Sequence, residues 1–165
     1  MKVISKQRNS RMCFICGMDN PIGLKAPFYN MEDGSVMTLF SYNESHQSFP
    51  ERVHGGLAAT MLDELGLRAL WAKGGEDIFG VTMSLTVKYR KPVPYNELLI
   101  GKGIVLRETS QFATIKTEIF DKKGLLLVNG EVSYIKLEPQ KIAAGVKPHE
   151  EMCYLIEDGV SEISI

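Results

Sequence analysis

The chain is 165 residues long, and its 19 basic and 20 acidic side chains leave a formal net charge of −1. That length suits one domain with a sizeable core, and the charge balance removes any general reason to expect a nucleic acid or a membrane surface as partner. The three cysteines are too few, and odd in number, for a disulfide framework. No apolar run reaches the length of a spanning helix, and Met1-Lys2-Val3-Ile4-Ser5-Lys6 lacks the apolar core of a secretory signal, so a cytoplasmic setting with reduced thiols is expected.

Residues 1–12 are polar and basic and read as a loose lead-in. Cys13-Phe14-Ile15-Cys16-Gly17 follows with a CxxC pair. Two thiols are half of a closed tetrahedral zinc site, for which His149 and Cys153, four residues apart, are the candidate second half. The preferred reading is metal-free: a knuckle-like turn of two packed thiols, then an Asn20-Pro21 turn. Strands are predicted over 24–29 and 35–43, separated by Asp33-Gly34, a hairpin-type turn signal. A polar loop over 44–50 leads to the next element, and His46 within it reads as a surface histidine.

From Val53-His54-Gly55-Gly56 to Trp71 the pattern is that of an apolar helix, ended by a basic last turn and glycines at Lys73-Gly74-Gly75. Ala58, Met61, Leu62, Leu65 and Ala69 share one face and are the candidate core. Asp63 falls on a second, narrower stripe with Ala59, Gly66 and Leu70. Glu64, four residues before Arg68, reads as half of a solvated ion pair. The paired glycines leave bare backbone N–H groups at the positive end of the helix, an arrangement that can hold an oxyanion, and His54 reads as fixing that turn by bonding to backbone. Asp63 lies nine positions after His54, roughly 13 Å along the axis. That is too far to serve the same atom within one helix, so a second subunit would have to supply the acid.

Four more strands are predicted over 79–89, 97–108, 112–120 and 125–137, the last three an antiparallel meander. Residues 139–165 look like an appended tail able to cover a sheet edge. The expected division is a lead-in over 1–12, one domain over 13–138 and the tail over 139–165.

This order of elements, with His-Gly-Gly opening the helix and an acid nine residues after the histidine, resembles the hotdog fold: an α+β architecture whose antiparallel sheet wraps one long central helix. The motif resembles the acyl-CoA thioesterases of the phenylacetyl-CoA thioesterase (PaaI-like) group, and the leader from Cys13 to Leu24 is similar to one that precedes the fold there. The likeness covers roughly residues 13–137. It implies hydrolysis of acyl-CoA thioesters to free acid and CoA. Asp63 would be the nucleophile or the base that activates water, and the Gly55 N–H, beside Gly56 and His54, would polarise the thioester carbonyl. Thr82, in Gly80-Val81-Thr82, would help hold the water. Where some relatives place asparagine six residues before the histidine, this chain has Ser48.

Sites in this fold lie between subunits, so the resemblance also implies a homodimer, with Asp63 of one chain facing Gly55 of the other; a dimer of dimers is expected from it. Phe49, Leu57 and Phe79 are candidate pocket residues. Lys88, Arg90 and Lys91 are a candidate seat for CoA phosphates, set against a plain solvated strand end. No metal or other cofactor is expected, because CoA belongs to the substrate. Two alternatives stay open: a non-catalytic acyl-CoA binder, against which Asp63 counts, and a hydratase or dehydratase on the same fold, which the chain resembles less.

Overall fold

The computed structural model describes residues 1–142, 145 and 147–165. In chain order come β1 (Val3–Lys6), β2 (Tyr29–Met31), β3 (Val36–Phe40), a small hairpin of β4 (Gln47–Phe49) and β5 (Arg52–Val53), and the helix α1 (Gly55–Gly74). After the helix come β6 (Gly80–Tyr89), β7 (Leu99–Glu108), β8 (Phe112–Asp121) and β9 (Leu126–Lys136), then two short helical turns, α2 (Pro139–Ile142) and α3 (Pro148–Glu151). Seven strands form one sheet in the order β1-β2-β3-β7-β8-β9-β6, every neighbouring pair antiparallel. One face of that sheet wraps α1.

The helix forms where its caps and its apolar spacing agree. His54 is the N-cap, its Nδ1 accepting from the Gly56 N–H at 3.0 Å. At the other end Gly75 takes a φ of 93° and returns its N–H to Trp71 O. Ala58, Met61, Leu62, Leu65 and Ala69 are each 1% exposed or less, and their core includes Leu99, Ile115, Val128 and Val132 of the sheet. Each buried Leu or Met of this stripe stabilises the fold by roughly 1.5–3 kcal/mol. Gly103 on β7 sets the spacing of helix and sheet, since a Cβ there would stand 2.6 Å from the Leu65 carbonyl oxygen.

The first part of the chain departs from the sequence reading. The lead-in is not loose: Val3–Lys6 pairs with β2, and the C-terminal segment closes over it, with Lys2 bridging to Glu162 and the N-terminal amino group donating to Ile163 O at 2.9 Å. Val160 and Ile163 thereby join Tyr29, Met31, Met37 and Ile100 in a second small core. The strand expected over 24–29 begins only at Tyr29, because Leu24 and Ala26 give their N–H groups to Phe14 O and Ile15 O of the cysteine turn instead of to the sheet.

Two side chains read as solvated are buried. His46 is 7% exposed and its Nδ1 accepts from the Asn43 N–H. Arg68 is 1% exposed; it bonds Glu64 through Nε at 2.9 Å and lies between the Phe28 and Trp71 rings, 4.5 Å from each centroid. Among the described residues, no helix is long and apolar enough to cross a membrane.

Candidate active site

At the start of α1, Gly55 and Gly56 have different fates. The Gly56 N–H is already given to His54, whereas the Gly55 N–H has no hydrogen-bond partner among the described residues. The Gly55 carbonyl accepts from the Tyr89 hydroxyl at 2.8 Å, so the end of β6 holds the opening turn of the helix. Gly55 lines a recess of about 330 Å³ together with Ala58, Tyr89, Arg90 and Lys91. Lys88 does not join this group. It lines a separate recess with Lys116, Asn129 and Glu131, and Arg90 Nε reaches the Asn129 side chain of that recess at 2.7 Å.

Asp63 sits half-buried two turns further along. Its Oδ1 accepts from Thr82 Oγ1 at 2.7 Å and from the Tyr134 hydroxyl at 3.2 Å, and the same hydroxyl bonds the Asp63 carbonyl oxygen. Asp63 Oδ2 has no partner among the described residues. Burial and the nearby Asp63 carboxylate push the Tyr134 phenol well above its usual range, so it remains a donor. Thr82 and Tyr134 are direct cross-strand partners on β6 and β9, which fixes both hydroxyls over the same carboxylate. Tyr134 and Tyr89 were missed in the sequence, where each reads as an ordinary strand aromatic. The pairing of Tyr134 with Thr82 is the signal that locates it, and it exists only once the register is known.

The remaining candidates are more scattered. Ser48 and Phe49 lie on β4, just before the helix, and Phe49 is 74% exposed. Leu57 is half-buried against the core. Phe79 lines a recess with Asp77, Gln111 and Lys136 that contains neither Gly55 nor Asp63. Of the four residues considered for zinc, Cys13 and Cys16 lie together, Cys153 is exposed, and the side chain of His149 lies outside the described residues. Within one chain Gly55 and Asp63 are eight residues apart on one helix, about 12 Å.

The sequence profile of the thioesterase superfamily matches residues 51–128, a span that contains Gly55, Asp63 and Thr82. Residues 51–128 thus resemble the thioesterase superfamily, and the chain has the hotdog fold of its solved members. Rattus norvegicus acyl-coenzyme A thioesterase THEM4 is 24% identical to it over 139 residues, covering 82% of this chain and 58% of that protein. A solved thioesterase superfamily protein superposes on the hotdog domain with a TM-score of 0.68 at 27% identity, over 75% of this chain and 63% of that one. The E. coli PaaI protein from the phenylacetic acid degradation operon superposes with a TM-score of 0.62 at 15% identity, over 69% of this chain and 80% of its own. The chain spans about half the length of the curated relatives it matches.

Proposed function

We propose that this protein hydrolyses acyl-CoA thioesters to free acid and CoA, in a site completed by a second copy of the chain. The observation that carries the reading is the edge position of β6. Ten residues long and exposed over most of its length, with Val81 and Met83 apolar and open, it is a template for pairing with another strand. At one end it holds Asp63 through Thr82, and at the other it holds Gly55 through Tyr89. When two such edges pair antiparallel about a twofold axis between Leu85 and Thr86, Thr82 of one strand stands opposite Tyr89 of the other. Asp63 of each subunit then faces the helix start of its partner, and the separation of about 12 Å within one chain ceases to matter.

The chemistry follows from those groups. As water attacks, the thioester carbonyl oxygen gains negative charge and accepts from the Gly55 N–H at the positive end of α1, a donor of a kind worth about 2.7–4 kcal/mol in the transition state. Thr82 and Tyr134 occupy Asp63 Oδ1, which leaves Oδ2 to take the proton of the attacking water or to attack the carbonyl itself. Arg90 and Lys91, which line the recess beside Gly55, would pair with the phosphates of CoA. Lys88 is left out of this role, and the acyl-CoA thioesterase among the relatives supports the substrate class.

Asp63→Asn keeps the shape and removes the base. Hydrolysis of a panel of acyl-CoA esters is expected to fall by about 10²-fold or more, while sedimentation gives a dimer for both proteins. An unchanged rate, or a wild-type monomer, would end the proposal. A wild-type dimer that binds acyl-CoA without turning it over would replace hydrolysis with ligand sensing.

A further inference from the structure

We infer that Cys13, Cys16 and Glu64 form a metal site, of a chemistry that suits Zn²⁺, which clips the N-terminal segment to α1 at the residue next to Asp63. The two sulfurs and a carboxylate oxygen all lie within 4.8 Å of one another, close enough for one ion to draw them into a shared coordination sphere. Glu64 replaces the His149 and Cys153 pair that spacing alone had suggested.

The turn that carries the thiols is built to present them. Gly17 N–H bonds Cys13 O at 2.7 Å, and a Cβ on Gly17 would lie 2.3 Å from that same oxygen, so only glycine closes the turn this tightly. The Ile15 N–H points at Cys13 Sγ at 3.4 Å, Ser10 Oγ stands 3.3 Å from Cys16 Sγ, and the Asn9 amide holds the Cys16 carbonyl at 2.8 Å. Hydrogen bonds to sulfur favour the thiolate, the form a metal needs.

Glu64 arrives from the helix with its two oxygens divided between partners. Oε2 meets Cys13 Sγ at 3.6 Å, and Oε1 accepts from Arg68 Nε at 2.9 Å. A ligating carboxylate is ordinarily oriented by such an outer partner. Charge closes the argument. Two thiolates and a carboxylate around a divalent ion leave one negative charge, and the guanidinium of Arg68, buried between Phe28 and Trp71, supplies the matching positive one. The sulfur-rich set selects Zn²⁺ over Mg²⁺ or Ca²⁺, and the half-buried position of Cys13 leaves the fourth place to water.

The test reads metal and stability, so it stands apart from hydrolysis. The 165-residue protein, reduced and stripped with a chelator, is titrated with Zn²⁺ against a chromophoric competitor and with Co²⁺ alone. One equivalent of Zn²⁺, a thiolate-to-cobalt charge-transfer band, and a raised Tm with Zn²⁺ are expected. Cys16→Ser removes the band, and Glu64→Gln weakens Zn²⁺ binding by about tenfold or more, with circular dichroism confirming that each variant is folded. Should Cys16→Ser fail to fold, the wild-type Tm shift and the Glu64→Gln titration still decide. No Zn²⁺ uptake by the reduced wild type, a Tm unmoved by Zn²⁺, or uptake undiminished in the variants would overturn the site.

Discussion

Asp63 is held by two hydroxyls that reach it from neighbouring strands, and their unequal visibility in the sequence has a physical cause. Thr82 stands in a Gly-Val-Thr context soon after the helix, whereas Tyr134 is 71 positions from the acid and indistinguishable in the chain from any inward-facing strand residue. Tyr134→Phe leaves the ring in place but removes a hydroxyl donor from Asp63, whose carbonyl keeps its intrahelical bond, and losing such a hydrogen bond costs about 0.5–1.5 kcal/mol. We expect that loss in chemical denaturation, together with a lower kcat for acyl-CoA hydrolysis and an unaltered KM, because the hydroxyl orients the carboxylate and does not bind substrate. Glu64 and Arg68 teach the complementary lesson. Their i, i+4 spacing was legible, but the burial that changes their meaning comes from Phe28 and Trp71 closing on the guanidinium.

The helix and the four long strands after it match the sequence reading to within about two residues. Each is long and strongly patterned, and its caps or breakers lie within a turn of its ends. The early strands are short and lack that redundancy: β2 has three residues, and its start is set by whether Leu24 and Ala26 pair with the sheet or with the cysteine turn. The contact of α1 with β7 can be tested at Gly103. Gly103→Ala places a methyl group against the Leu65 backbone, 3.1 Å from Val36 Cγ1, and neither the helix nor the strand yields without losing contacts elsewhere. The expected cost is about 1–3 kcal/mol, read as a lowered denaturation midpoint with an unchanged slope.

Across the whole molecule, the two ends of the chain brace each other through acid groups. Asp158 on the C-terminal segment accepts from Lys6 and from the Tyr29 hydroxyl, which outweigh its partial desolvation and hold its carboxyl below the ordinary range. Asp33, likewise desolvated, is drawn down to about 2 by Lys102 and Ser35. A carboxyl whose folded pKa is depressed contributes stability above its unfolded value and loses it as pH falls through the folded one. Thermal stability is therefore expected to drop between about pH 4 and pH 2, and Asp158→Asn to flatten part of that drop while lowering Tm at pH 7. A Tm profile of the variant parallel to that of the wild type would remove Asp158 from the account.

The central helix with its glycine opening and the meander were legible along the chain, because each is encoded by neighbours within a few residues. The partnership of Cys13 with Glu64, of Tyr134 with Asp63 and of Met1 with Ile163 joins residues 51, 71 and 162 positions apart. Such contacts leave no periodic mark in the sequence, since they are chosen by how the sheet curls around α1 and by which polar groups must find partners once water has left.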